Sequence, residues 1–287
     1  MSNFINCVVH MASDGNLLTG ENYTAMIDCG GAFCADIAIE RVKSTLGGRP
    51  LDYIILSHTH YDHVGALPFF RMEWPQLQVV TSEKGAAVLQ KDTPRRVIRE
   101  LSLVAAKHHG ATFDEGYSDE AFRADITVKS GDIVVLGGLS VHVIETPGHT
   151  RDSLSFHIPE LEILALSETL GILMPDGDVH PAYLTSFVDT INAIETCSKI
   201  PYKHLSMPHQ GIISSEKAVG FFDKALAATI ACRDFILEMA AKNLDRTQML
   251  EAYFKKYCND DVLSCQPKEA FLANTNATIT CTLNEAM

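Results

Sequence analysis

The sequence predicts an α/β (α+β) fold in which β-sheets are covered by helices on their outer faces. Strand-like and helix-like segments alternate over the first part of the chain, and short strands broken by glycine follow over residues 125–166. Helical patterns return from about residue 215. With 287 residues and 46% hydrophobic side chains, the chain can bury a large core without disulfides.

The first part of the chain predicts an alternation of strands and helices. Strand-like runs are TAMIDCGG, LDYIILS and QLQVVTS. Helix-like segments are residues 34–46, VGALPFFRMEW, SEKGAAVLQK and PRRVIRELSLVAAKHH. Pro68 must occupy the first turn of its helix or kink it, because proline has no amide proton to donate. The polar HTHYDH segment is predicted to be the turn before that helix.

The second part predicts a β-meander and then helices. ITVKSGDIVVLGGLSVHVIETPG and SLSFHIPELEILALS are typical of short strands joined by glycine turns. Apolar stripes such as Phe222, Leu226 and Ile230 predict a helical segment beyond residue 215. We expect a catalytic domain over residues 1–215 and a helical extension over residues 216–287 that packs on it. A lid over a pocket or a homodimer contact is the alternative role of the extension.

Charge and composition exclude several classes of partner. Lys and Arg number 23 against 36 Asp and Glu, giving a formal net charge of -13. An extended nucleic-acid or anionic-membrane surface is therefore not expected. The first residues lack a secretory signal pattern, and no apolar run is long enough to span a membrane. We expect a cytoplasmic protein whose eight cysteines stay reduced.

The strongest chemical signal is the HTHYDH segment, which directly follows a predicted strand. Side chains two residues apart in an extended turn point the same way, so His58 and His60 can bind one metal ion. Asp62 and His63 lie where the chain turns into a helix and can serve a second ion. Few structural roles explain three histidines and an aspartate within six residues, so the segment predicts a two-metal site.

Such a site needs further ligands, and three downstream positions qualify. His149 lies in TPGHT after a predicted strand, His209 lies in SMPHQG, and Glu168 ends the run LEILALSE. A carboxylate at Glu168 could bridge both ions. His180, in DGDVHP, is either a substrate contact or an exposed loop residue, and the second interpretation is favoured. The remaining histidines are expected to be structural: His10, His108, His109, His142, His157 and His204.

These motifs, in this order, resemble the metallo-β-lactamase superfamily of hydrolases. Its H-x-H-x-D-H signature matches residues 58–63, and its next two ligand histidines match His149 and His209. The early strand ending in Asp28 and Gly30 matches the family's support for the metal loop. The resemblance covers residues 20–215 and implies a four-layer αββα sandwich with a dinuclear site at one edge.

The resemblance also implies how the ligands are shared. His58, His60 and His149 would hold the first ion, and Asp62, His63 and His209 the second, with Glu168 between them. The family usually has Gly-Asp where this chain has Ser167-Glu168, one methylene longer. Glu168 either bridges the ions or only hydrogen-bonds nearby. Zinc is the first expectation for the two divalent ions, and iron and manganese are also chemically acceptable.

The expected activity is hydrolysis by a metal-bound hydroxide, with Asp62 as the catalytic residue that orients it and takes up its proton. The acidic balance disfavours a tRNA nuclease, and the absence of an export signal disfavours a secreted β-lactamase. A flavin-coupled di-iron reductase usually has Glu where Tyr61 stands. A small-molecule ester or thioester is the predicted substrate. The alternatives are a phosphodiesterase and a weakly active, metal-binding regulatory protein.

Overall fold

The computed structural model describes residues 3–7, 15–216 and 218–286, and these form two six-stranded sheets. The first sheet has its strands in sequence order: β1 (Phe4–Asn6), β2 (Asn16–Thr19), β3 (Thr24–Ile27), β4 (Tyr53–Ile55), β5 (Gln78–Ser82) and β6 (Ile126–Val128). Strands β3 to β6 run parallel, and β1 and β2 complete the sheet in antiparallel pairing.

The second sheet is mostly antiparallel, with the order β14-β13-β10-β9-β8-β7. Its strands are β7 (Ile133–Val135), β8 (Ser140–Glu145), β9 (Leu154–Ile158), β10 (Ile163–Ala165), β13 (His204–Met207) and β14 (Gly211–Ser214). Among these described strands, only β10 and β13 pair in parallel. A small hairpin, β11 (Ile172–Leu173) with β12 (Val179–His180), lies between β10 and β13 in the chain.

The α-helices lie between the strands and after them in the chain. In the first part of the chain they are α1 (Ala35–Leu46), α2 (Tyr61–Val64), α3 (Leu67–Glu73), α4 (Glu83–Leu89) and α5 (Asp92–His108). In the second part they are α6 (Phe187–Cys197), α7 (Phe221–Ala241), α8 (Arg246–Tyr257), α9 (Asp260–Cys265) and α10 (Lys268–Glu285). Among the described residues, no helix combines the length and apolar character needed to span a membrane.

Neighbouring residues of a strand are buried on opposite faces of its sheet. One face packs against the other sheet and the other face packs against helices. Ala25 and Ile55 of the first sheet pack with Phe156 of the second in one buried cluster between the sheets. Their neighbours Met26 and Ile54 point outward and pack against helices of the first layer. Both faces of the central strands are therefore apolar, as expected where helices cover a sheet. The predicted αββα sandwich is confirmed.

Most sequence-predicted elements occur in the structure, with informative exceptions. Pro68 occupies the first turn of α3, so its missing amide proton costs no helical hydrogen bond. The short helix α2 begins at Tyr61, inside the predicted HTHYDH turn, and ends at Val64. The ITV run, predicted as part of the meander, instead adds β6 to the edge of the first sheet. Helices α6, α9 and α10 were not predicted individually.

The C-terminal helices pack on the sandwich through apolar and polar contacts. Phe221 and Ala225 of α7 join the cluster on the outer face of the second sheet. At the other end, Tyr183 is fully buried beside α10, where its hydroxyl lies 2.7 Å from Thr282 Oγ1. The extension thus contacts the sandwich at two places. The boundary between residues 215 and 216 stays a prediction.

The Tyr183 contact gives a test of this docking. Thr282 Oγ1 already donates to the Thr278 carbonyl, so the Tyr183 hydroxyl is the donor of the bond between them. We expect Tyr183→Phe to lower the free energy of unfolding by about 1 kcal/mol, measured by urea denaturation. Tyr23→Phe is the matched control, because Tyr23 is 45% exposed. This variant should change the free energy of unfolding little. Equal stability of the two variants would contradict the assigned bond.

Candidate metal centre

All seven residues predicted from the motifs meet at one edge of the sandwich, in loops that follow strands. They are His58 and His60 after β4, Asp62 and His63 in α2, His149 after β8, Glu168 in a 3-10 turn after β10, and His209 between β13 and β14. His58, His63, His149 and Glu168 are buried, and the other three are half-buried. Strands of both sheets end at this edge, so residues that are far apart in the sequence come together there.

The seven side chains form two groups that could each hold a metal ion. His58, His60 and His149 make the first group, and Asp62, His63, Glu168 and His209 make the second. Within each group, one ligand atom per residue lies within 4.8 Å of the others. The two sets match the sharing that the sequence resemblance implies, except that Glu168 falls geometrically in the second set.

Asp28, directly after β3, supports the candidate metal centre through hydrogen bonds to Ser57 and His63. Its carboxylate accepts hydrogen bonds from Ser57 N at 2.7 Å and Ser57 Oγ at 2.6 Å, and it lies 2.9 Å from His63 Nδ1. The Asp28 backbone has a φ of 57°, a left-handed conformation that costs free energy in a residue with a side chain. His209 has a φ of 61°. Backbone strain therefore occurs at a supporting residue and at a cluster residue.

Hydrogen-bond donors and acceptors behind the cluster fix the tautomers of three histidines. A carboxylate only accepts, so His63 Nδ1 carries the proton that bonds Asp28, and Ser57 Oγ donates its own proton to the same carboxylate. Ser57 Oγ must then accept from His58 Nδ1 at 3.0 Å. The Ala182 carbonyl likewise accepts from His149 Nδ1 at 2.6 Å. In its neutral form, each of these imidazoles therefore directs the lone pair of Nε2 into the cluster.

Glu168 lies in the middle of these inward-facing nitrogens. Its Oε1 is 2.8 Å from His63 Nε2 and 3.0 Å from His209 Nε2, and its Oε2 is 3.1 Å from His149 Nε2. A carboxylate oxygen and an imidazole lone pair repel each other at such distances. A proton or a cation must lie between them, so this arrangement has a built-in demand for positive charge.

Burial and neighbouring charges shift the cluster's pKa values in opposite directions. Burial lowers the pKa of His58 well below its usual range and that of His60 to about 3, with help from adjacent histidines, so both are neutral at pH 7. Burial also opposes the charged form of His63, but Asp62 and Asp28 outweigh it and raise its pKa. Burial raises the pKa of Asp62. The histidines around Glu168 outweigh its burial and lower its pKa.

The donor set fits divalent metal ions. His58 Nε2 is buried and has no hydrogen-bond partner among the described residues, although its tautomer gives it a lone pair. Imidazole nitrogens and carboxylate oxygens are ligands that zinc, iron and manganese accept, and no thiolate belongs to either group. An ion bound by the first group would satisfy the His58 nitrogen, which burial otherwise leaves unpaired at a cost.

Several residues of the centre have no distinctive signal in the sequence. Ser57 precedes His58, but a single serine is too common to be singled out. The Ala182 carbonyl and Thr169 Oγ1, which accepts from His149 N at 3.0 Å, are placed by chain folding alone. His180 lies in β12, half-buried, so the exposed-loop interpretation is wrong. His10 lies outside the described residues.

The structure also opens a cavity in front of the cluster. Its walls include His60, Asp62 and Glu168 on one side, and side chains of α8, α9 and α10 on the other. His180 contributes to the same wall as Phe271, with their ring centroids 6.1 Å apart. The C-terminal extension therefore forms part of the cavity wall at the candidate site. Its roles as a lid or as a homodimer contact stay predictions.

Comparison with known proteins identifies relatives of this centre and fold. The family model described as metallo-beta-lactamase superfamily matches residues 13–200. A hydroxyacylglutathione hydrolase of Brucella ovis is 27% identical over 151 residues, covering 52% of this chain and 44% of that protein. The chain therefore aligns with less than half the length of this curated relative.

Solved structures share the fold at low sequence identity. A metallo-beta-lactamase family protein from Thermus thermophilus has a TM-score of 0.67 at 17% identity, covering 100% of this chain and 95% of its own. An archaeal metallo-beta-lactamase superfamily protein from Sulfolobus tokodaii has a TM-score of 0.57 at 21% identity, covering 76% of this chain and 80% of its own. At these identities the likeness shows the fold alone.

The Asp28 network can be tested without altering any candidate ligand. In Asp28→Asn the amide can no longer accept from Ser57 and His63 together, so His63 loses its orienting charge. We expect metal affinity, measured by competition with a chromogenic chelator, to fall roughly 10–100-fold. Asp52→Asn is the control, since Asp52 also accepts from a backbone amide, Thr24 N at 2.8 Å, but belongs to neither group. Unchanged affinity in Asp28→Asn would refute the supporting role.

Proposed function

Because the chain belongs to the metallo-beta-lactamase superfamily, we propose that it is a metal-dependent hydrolase of a small-molecule ester or thioester. It would use two divalent ions, with zinc the first choice and iron or manganese the alternatives. The observation that carries the proposal is the pair of ligand groups meeting at Glu168. Two such groups side by side suit hydrolysis better than a structural ion, whose site is usually closed.

Each candidate residue has a proposed role. His58, His60 and His149 would hold one ion, and Asp62, His63 and His209 the other, with Glu168 shared between them. The ions would supply Lewis acidity and water of lowered pKa, about 7. Asp62 Oδ2 faces His63 Nε2 at 3.6 Å and His209 Nε2 at 3.7 Å, and Asp62 also lines the cavity. This position suits a carboxylate that orients the nucleophile and accepts its proton.

The ester or thioester preference rests on two supports. The Brucella ovis relative is named for the hydrolysis of a hydroxyacylglutathione, an acyl derivative of a thiol. The cavity in front of the cluster is lined mainly by apolar side chains, which suits an acyl group. A phosphodiester would meet the proposed metal ions but gain no further cation, because the described lining residues of the cavity include no lysine or arginine.

A regulatory metal-binding role is the second candidate, and Glu168 is the feature that favours it. Its carboxylate lies within hydrogen-bonding distance of His63, His149 and His209, close enough to occupy the position that a substrate or nucleophile would need. A protein of this kind would bind metal but turn over slowly. Metal content and turnover must therefore be measured together.

The first test combines metal analysis with a reporter panel. We expect protein purified without added metal to contain about two divalent ions per chain. It should hydrolyse ester and thioester reporters faster than phosphodiester reporters. His60→Ala removes one ligand of the first group, so metal content and turnover should both fall. His204→Ala, outside both groups, is the matched control.

Three outcomes would contradict the proposal or part of it. Absence of bound metal after reconstitution with zinc, iron or manganese would remove its physical basis. Stoichiometric metal without turnover on any reporter would transfer the assignment to the regulatory role. Faster hydrolysis of phosphodiesters would keep the metal centre but make the substrate assignment wrong.

Glu168→Asp tests whether the site is adjusted to the longer carboxylate. Glu168 contacts His149 with one oxygen and both His63 and His209 with the other. Aspartate, one methylene shorter, cannot reach both sides from the same backbone. We expect turnover to fall roughly tenfold or more, with loss of bound metal. Glu238→Asp makes the same change at an exposed side chain and serves as the control. A large gain of turnover would instead favour the regulatory interpretation.

A further inference from the structure

The cavity in front of the metal centre has two unlike sides. Its volume is about 140 Å³, and the cluster residues His60, Asp62 and Glu168 form one side. The C-terminal helices and the loop between α9 and α10 supply another part of the lining, which we call the roof. It includes Tyr253, Val262, Cys265, Gln266, Phe271 and Asn274. The roof residues come from α8, α9 and α10 and the loop between α9 and α10.

The roof carries no formal charge at neutral pH. Asp62 and Glu168 are the only carboxylates among the described lining residues, both belong to the metal centre, and these lining residues include no lysine or arginine. The ionisable groups elsewhere in the lining are held neutral. Burial lowers the pKa of His180 to about 4 and raises the pKa values of Tyr253 and Cys265.

The nearby lysines do not supply a counter-ion to the cavity. Lys256 Nζ lies 4.0 Å from the ring centroid of Phe235, and Lys268 Nζ lies 4.9 Å from that of Phe254. Neither lysine belongs to the cavity lining. Both ammonium groups are engaged on aromatic faces outside it.

Some polar groups of the C-terminal helices that line the cavity are committed to each other or to the backbone. Asn274 Nδ2 donates to Gln266 Oε1 at 3.5 Å, and the Thr275 hydroxyl donates to the Phe271 carbonyl at 2.8 Å. His180 has ring contacts with Tyr257 and Phe271. An acyl chain or aromatic ring placed here would meet mainly apolar surface, and its transfer from water would be favourable.

We propose that the roof binds the uncharged, apolar acyl group of the substrate and rejects an acyl group that ends in a carboxylate. This inference rests on the proposed hydrolase function and adds the substrate class to it. A carboxylate facing the roof would lose hydration without gaining a cation, which is costly in a partly buried site. An aliphatic or aromatic acyl group incurs no such cost.

A matched pair of thioesters tests the inference. S-hexanoyl-N-acetylcysteamine and S-adipoyl-N-acetylcysteamine share the leaving group and the six-carbon acyl chain, and differ in a terminal methyl or carboxylate. We expect kcat/KM of the metal-loaded protein to be roughly tenfold or more higher for the hexanoyl compound. Equal values, or preference for the adipoyl compound, would overturn the inference while leaving the hydrolase proposal intact.

Binding separates the two proposals when turnover is absent. The amide analogues of both thioesters, with NH in place of sulfur, resist hydrolysis and can be titrated calorimetrically into the full-length protein. Tighter binding of the hexanoyl amide would support the roof even if no thioester were hydrolysed. Failure of the hexanoyl amide to bind, or equal binding of both amides, would overturn the roof assignment.

A charge placed at the cavity gives the reverse test. Ala273 lines the cavity yet is exposed, so a lysine can be accommodated there without burying its ammonium group. We expect Ala273→Lys to shift the ratio of hexanoyl to adipoyl binding towards adipoyl by roughly fivefold. Thr280→Lys adds the same charge at an exposed position of α10 outside the cavity lining, and the ratio should not change. An equal shift in both variants would indicate a general charge effect and overturn the inference.

Discussion

The hydrogen bond between the Asp28 carboxylate and His63 Nδ1 is the contact on which the rest of the centre depends. Asp28 ends a strand of the first sheet, and the same carboxylate holds Ser57, which in turn fixes the tautomer of His58. The Asp28 carboxylate thereby orients His63 directly and His58 through Ser57. The left-handed backbone at Asp28 is the cost of aiming its side chain at that point.

Glu168, from the second sheet, lies between the two ligand groups of the centre. It follows β10, whereas the H-x-H-x-D-H segment follows β4, so the carboxylate links the two sheets at the edge where they meet. Its two oxygens contact imidazoles of both ligand groups. Without a proton or a cation between them, a carboxylate oxygen would face an imidazole lone pair in either group, so the charges of the two groups depend on each other.

The C-terminal helices give the centre a different chemical surrounding from the sandwich loops. The loops supply charge and imidazole, whereas α8 to α10 supply aromatic, aliphatic and amide groups without formal charge. Under the proposed hydrolase function, the roof would bind the substrate and the sandwich loops would activate water. Specificity could then change with the roof while the ligand geometry stays fixed by the sheets.

The H-x-H-x-D-H segment alone predicts a metal site, because three histidines and an aspartate within six residues have few structural explanations. His149, His209 and Glu168 gain their assignment only from that segment and from the order of the motifs, since a single loop residue carries little signal. The order of strand-like and helix-like segments predicts sheets covered by helices, and the resemblance to the metallo-β-lactamase superfamily adds the four-layer sandwich. Tertiary structure alone decided α10 and the roof. Helix α10 has no clear apolar stripe, and Thr275, Thr278 and Thr282 return their hydroxyls to carbonyls four residues earlier. Those threonines become interior only when the helix packs on the sandwich, a contact between distant residues that local periodicity does not encode.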